Sequence, residues 1–155
     1  MPELPEVETV RAGLAAHVLN RSVTGLEVFS ERALRNSEGG EARLQQALVG
    51  STFAAAVRRG KFLWLLLAPR PGLPGSVETL TAQAPVLLVH LGMSGQLRVR
   101  SDTREIARHL RVRVHLAGGG ALDFVDQRTF GYLGLDHLVA TPDAGPGGYG
   151  SPAAL

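Results

Sequence analysis

From residue 51 to residue 135 the chain is cut into short aliphatic runs, and the clearest of them, HLRVRVHL (109–116), alternates strictly. Leu110, Val112, Val114 and Leu116 fall on one side of an extended segment, and His109, Arg111, Arg113 and His115 on the other, because successive side chains of a strand point to opposite faces. A period of two excludes an amphipathic helix here. Comparable runs predict strands near 22–29, 51–59, 61–68, 86–92, 95–101, 109–117, 120–126 and 129–135. Many short strands in succession, without a helix between each pair, point to a mainly β domain with flanking α: an antiparallel two-sheet β-sandwich.

Two segments break the pattern and predict the flanking helices. Val7, Val10, Leu14 and Val18 recur at helical spacing. Pro5 suits a first helical position, and Glu6 and Glu8 suit the positive end of the helix dipole, so an amino-terminal helix is expected over 5–19. One further helix is expected over 39–48, ending at Gly50. The stretch APRPGLPGS (68–76) is too rich in Pro and Gly for regular structure and reads as a surface loop. TPDAGPGGYGSPAAL (141–155) reads as linker or tail. The expected organisation is one domain over 1–135 followed by linker over 136–155, and a chain that ends on a linker reads as cut short.

Composition removes several classes. With no cysteine in 155 residues, neither a disulfide nor a zinc-thiolate site can form. The absence of a long apolar run, and an acid at position 3 in place of a basic signal-peptide start, predict a soluble cytoplasmic protein with no membrane partner. The net charge of +2 hides an uneven distribution, −2 over residues 1–57, +6 over 58–128 and −2 beyond. With Arg98 and Arg100 of QLRVR (96–100) repeating the pattern of 109–116, the two strands predict a positive sheet surface suited to phosphate contact. An ordinary solvated basic face is the alternative.

Four stretches carry more specific chemistry. PELPE places two prolines and two acids at the end of a chain that usually frays; a helix start explains Pro5 and Glu6 but leaves Pro2 and Glu3 without a role. RRGK (58–61) contains Lys61, the only lysine beside fifteen arginines. A lysine is a compact donor for one phosphate where arginine is a planar fork, although a hairpin lysine needs no function. In HLGMSGQL (90–97), Gly92 and Gly95 permit close backbone approach, and Met93 fits either a core gap or an exposed wedge. In DQRTFG (126–131), Phe130 is compatible with the core, yet an extended segment would set Arg128 and Phe130 side by side, one cationic and one stacking.

In this order and spacing, PELPEVET, RRGKFLW, HLGMSGQL and DQRTFG resemble the amino-terminal domain of the formamidopyrimidine-DNA glycosylase family, bacterial base-excision enzymes for oxidised purines. The resemblance spans about residues 1–135. It implies that methionine removal frees Pro2, whose secondary amine is the nucleophile, with Glu3 as catalytic acid/base and Glu6 supporting it. It further implies that Lys61 and His90 hold phosphates around the lesion. Met93, Arg128 and Phe130 would fill the gap left by the extruded nucleotide, Arg128 facing the orphaned cytosine. His109 joins the expected DNA-contacting set from the basic face of its strand.

The implied partner is damaged double-stranded DNA, met by a monomer in the bacterial cytoplasm. No cofactor is expected within these residues, since the family's four-cysteine zinc finger and helix-two-turn-helix region have no counterpart here, and activity of this chain alone is expected to be impaired. Thr129 stands where many relatives carry a second arginine, and a retained Met1 would block the nucleophile. The competing readings are an endonuclease VIII-like glycosylase for oxidised pyrimidines and a non-catalytic DNA-binding remnant.

Overall fold

The computed structural model describes residues 4–68, 85–139 and 151–152. The elements follow as α1 (Leu4–His17), β1 (Val23–Val28), a short 3-10 helix (Glu31–Leu34), α2 (Gly40–Leu48), β2 (Thr52–Arg59), β3 (Phe62–Ala68), β4 (Pro85–His90), β5 (Gln96–Arg100), β6 (Leu110–Leu116), β7 (Ala121–Val125), β8 (Tyr132–Val139) and the two-residue β9 (Ser151–Pro152). One sheet has the order β1-β6-β7-β5 and the other β2-β3-β4-β8-β9, with every pairing antiparallel. This is the expected two-sheet sandwich with an amino-terminal helix and one further helix.

The sequence of β3, FLWLLLA, shows why the sheets sit where they do. A strand that faced water on one side would alternate, whereas this one is apolar throughout because both its faces are covered. Leu63, Leu65 and Leu67 join the core between the sheets, with Phe53, Leu87, Val89, Val112, Val114, Leu122 and Phe124. Trp64 and Leu66 point the other way, into a second apolar cluster with Val86, Leu88 and Leu138. Val7 and Leu14 of α1, Val18 just beyond its end, and Leu44 and Leu48 of α2 close the main core, and full burial of each such side chain contributes about 1.5–3 kcal/mol.

The positive sheet surface expected on β5 and β6 is not formed. Cross-strand register sets Glu27 of β1, Arg113 of β6, Asp123 of β7 and Arg98 of β5 in one row, so the signs alternate and the face is neutralised. Arg113 is only 2% exposed. It binds Asp123 in a bidentate pair at 2.8 and 2.9 Å and donates to the carbonyls of Thr103 and Glu105. Breaking such a buried pair costs about 3–5 kcal/mol, because the surviving charge is stranded. His115 is bonded to Glu27, and Arg111 donates to the carbonyls of Asp126 and Gln127. These side chains therefore hold the β5–β6 and β7–β8 connections in place.

Three smaller expectations also change. His109 is not on a strand face but in the turn before β6, at φ 68°. The strand expected at 129–135 runs over Tyr132–Val139, since the residues before it form a tight turn. Val99 is 38% exposed because β5 is the edge strand of its sheet, where no opposing layer covers it. In the segment read as tail, Ser151 and Pro152 pair with β8. The loop expected at 68–76 lies outside the described residues apart from Ala68, which ends β3.

Candidate functional site

One end of the sandwich gathers the unusual stretches. There the start of α1, the β2–β3 turn, the end of β4 and the loops 91–95 and 126–131 meet. Pro2 and Glu3 lie outside the described residues. Glu6, exposed in the first turn of α1, lines a cavity of about 350 Å³ together with Val10, Leu91, Met93, Ser94 and Leu97.

Lys61 stands in the tight turn between β2 and β3, where Gly60 adopts φ 59°. Antiparallel register brings the neighbouring Phe62 opposite His90, and His90 opposite Tyr132. The His90 ring is stacked on Tyr132 at 5.6 Å and tilted against Phe62 at 4.8 Å. Burial pushes the imidazole below its usual range, and the charges of Lys61 and Arg35 push in the same direction, so it is neutral near pH 7. Its Nδ1 accepts the Gly92 amide at 3.1 Å. In the neutral ring Nε2 therefore carries the proton and is the donor available to an external group.

Gly92 is required by what it touches. Its φ is 62°, and a Cβ there would lie 2.6 Å from the nitrogen of Gly131 and 2.8 Å from the carbonyl carbon of Phe130. A Cβ on Gly131 would in turn lie 2.5 Å from the carbonyl oxygen of His90. The two loops thus press backbone on backbone, and their side chains are thrown outward: Met93 is 53% and Phe130 42% exposed, and Arg128 is exposed beside them. The core alternatives for Met93 and Phe130 are excluded. Arg128 and Phe130 do share a surface, but on a turn, not an extended segment, because Thr129 between them has φ 54°.

A β-branched residue in the left-handed region costs about 1–3 kcal/mol and persists only where its surroundings enforce it. Here the enforcement comes chiefly from two charged residues that the sequence reading did not single out, with Arg32 adding a bond to the Thr129 carbonyl at 3.3 Å. Buried Asp126 accepts the Gly131 amide at 2.8 Å, the Arg128 amide at 3.2 Å and the Ser94 hydroxyl at 2.6 Å. From the other side Arg35 donates to the carbonyls of Thr129, Phe130 and Gly131 at 3.2, 2.7 and 3.0 Å, and its guanidinium lies 5.5 Å from the centre of the Tyr132 ring. The amides of the turn go to the carboxylate and its carbonyls to the guanidinium. The only advance signal was the position of Asp126 at the head of DQRTFG, for Arg35 is 94 residues or more from the carbonyls of this turn. His109 enters the cluster through its backbone, its carbonyl accepting the Asp126 amide at 3.0 Å.

Among the described residues no group of three or more His, Asp or Glu side chains is placed to hold a metal ion, and no helix is long and apolar enough to cross a membrane.

The family described as "Formamidopyrimidine-DNA glycosylase N-terminal domain" matches residues 1–133. A formamidopyrimidine-DNA glycosylase of Corynebacterium efficiens is 46% identical over 142 residues, which cover 90% of this chain and 46% of that protein. Among solved structures, the Lactococcus lactis formamidopyrimidine-DNA glycosylase bound non-covalently to DNA containing an abasic site superposes with a TM-score of 0.72 at 27% identity, covering 88% of this chain and 45% of that one. A MutM complex with DNA containing carbocyclic 8-oxo-G gives a TM-score of 0.72 at 26% identity, covering 88% and 44%. The chain thus spans about half the length of the relatives it matches.

Proposed function

The chain belongs to the formamidopyrimidine-DNA glycosylase family, and from that premise we propose that it is the catalytic half of a bifunctional DNA glycosylase/AP lyase. Its substrates are oxidised purines, 8-oxoguanine and formamidopyrimidines, in double-stranded DNA. The observation that carries this reading is the union of exposed Met93, Arg128 and Phe130 on two loops in backbone contact, beside neutral His90 and the cavity that Glu6 lines. Apolar and cationic side chains projecting beside a cavity suit an enzyme that extrudes a nucleotide, fills the gap and receives the base next door. Leu4 opens α1, so covalent connection alone keeps the amine of Pro2 within two peptide units of that helix start.

The chemistry follows from a free amino-terminal proline. An α-amino group has a reference pKa of about 7.7–8.0, so a neutral fraction exists near pH 7. Its nitrogen attacks C1′ and the bond from C1′ to the base breaks. Glu3 gives a proton to the ring oxygen as the sugar opens, and the amine sheds its own proton as the iminium forms. The iminium then draws electrons from the C2′–H bond, the Glu3 carboxylate takes that proton, and the 3′ phosphate leaves by β-elimination; a second elimination releases the 5′ phosphate. Water adds to C1′ of the remaining iminium and frees the amine of Pro2 with release of a proton. Lys61 and the Nε2–H of His90 serve as donors to the flanking phosphates, His109 adds a contact at the loop base, and Glu6 supports the proton transfers. No step asks for a metal or cofactor from these residues. A soluble, monomeric protein of the bacterial cytoplasm fits this role.

Single-turnover incision at low salt on three duplexes tests the reading. A pre-formed abasic site should be cut fastest, 8-oxoguanine opposite cytosine far more slowly, and an oxidised pyrimidine not at all. Faster cutting of the pyrimidine lesion would favour the endonuclease VIII-like reading, and binding without incision of any duplex the non-catalytic one.

A further inference from the structure

Asp126 is fully buried, and neither nucleophilic attack nor elimination has any use for it. Its carboxylate nonetheless gathers donors from both loops of the site: the Ser94 hydroxyl at 2.6 Å from one, and the amides of Arg128 and Gly131 at 3.2 and 2.8 Å from the other. Its own amide and carbonyl are committed as well, to the His109 carbonyl and the Arg111 guanidinium. The carboxylate sits behind the turn while Arg128 and Phe130 are exposed in front of it. Gly92 and Gly131 bring the two loops into contact but cannot lock them, since backbones in van der Waals contact can slide.

The geometry points to Asp126, acting through Ser94, as the positioning residue that makes the Met93 loop and the Arg128–Phe130 loop one rigid insertion unit. This rests on the reading of those three side chains as gap fillers. A charge-assisted hydrogen bond from a hydroxyl to a buried carboxylate is short, strong and directional, and it spans 32 residues of sequence. Arg35 holds the carbonyls of the same turn from outside, so the turn is fixed while the Met93 loop is tied to it through one side chain. Loss of the Ser94 hydroxyl uncouples the loops without removing any group that faces the nucleic acid from the turn.

The test uses Ser94→Ala and Ser94→Thr in the 155-residue chain, with 2-aminopurine beside the lesion to report extrusion. Ser94→Ala should slow extrusion of 8-oxoguanine at least tenfold and be rescued by the hydroxyl of Ser94→Thr. Because Ser94 also lines the cavity, Phe130→Ala separates positioning from contact with the base. Where the wedge is already gone, adding Ser94→Ala should slow extrusion less than twofold further. Normal extrusion by Ser94→Ala, or effects of the two substitutions that multiply, would overturn the proposal. A chain that fails to incise abasic DNA refutes the functional reading instead. The coupling is then judged on the free protein, where Ser94→Ala and Asp126→Asn should each speed amide exchange at Gly95, within the Met93 loop, several-fold, and unchanged exchange overturns it.

Discussion

At the scale of single residues, Lys61 and His90 form a divided pair of donors. Lys61 is a compact donor on a turn, and His90 a neutral ring whose Nδ1 is occupied by the Gly92 amide. If Lys61 binds a phosphate, Lys61→Ala should weaken binding to damaged and undamaged duplexes alike and reduce the slope of log K against log salt by about one phosphate's worth. Salt titration by fluorescence anisotropy measures this, and an unchanged slope would return Lys61 to an ordinary hairpin role. Some of this was legible in advance. A lone lysine among arginines and a Met-Ser pair between glycines are visible in the sequence, and the structure exposes Met93 and places Lys61 beside His90. Arg113 and Asp126 were not legible as what they are. The partner of Arg113 is set by strand register and the donors of Asp126 by loop closure, and neither leaves a local pattern.

At the scale of elements, the docking of α1 onto the sandwich combines apolar burial with ion pairs. Burial of Val7, Leu14 and Val18 dominates that docking, while Glu8 fixes the orientation by binding Arg11 and, across to β2, Arg58. The Arg11 and Arg58 guanidiniums hold the Glu8 carboxyl down at about 2, below its ordinary 4.5. A depressed carboxyl contributes stability that is complete above the ordinary value and is lost as pH falls towards the folded one. Glu8→Gln should therefore lower Tm at pH 7, and the gap between variant and parent should close between pH 4.5 and 2. A gap independent of pH across that window would mean that the ion pairs contribute nothing. Helix and strands were readable because each writes its period locally, in the spacing from Val7 to Val18 or the alternation of 110–116. The turn at 128–131 was not, because Thr129 reads as a strand former and its left-handed conformation is imposed by Asp126 and Arg35 from elsewhere.

At the scale of the whole molecule, stability and function draw on different surfaces. The two sheets and two helices enclose their own apolar core, so the described fold supplies its own stability. Grip on DNA is another matter, since the chain covers 46% of a relative such as the Corynebacterium efficiens enzyme, and each phosphate contact absent from a complex removes its share of counterion release. Extrusion still costs a few kcal/mol, so steps that need no extrusion should survive best. The central claim, that the chemistry passes through the amine of Pro2, is open to one direct measurement. The chain is incubated with abasic-site duplex and borohydride, and the adduct is mapped by mass spectrometry. A covalent adduct on the amino-terminal peptide of molecules lacking Met1, weakened in Pro2→Gly, is the predicted result. An adduct on Lys61, or equal trapping by molecules that retain Met1, would contradict it.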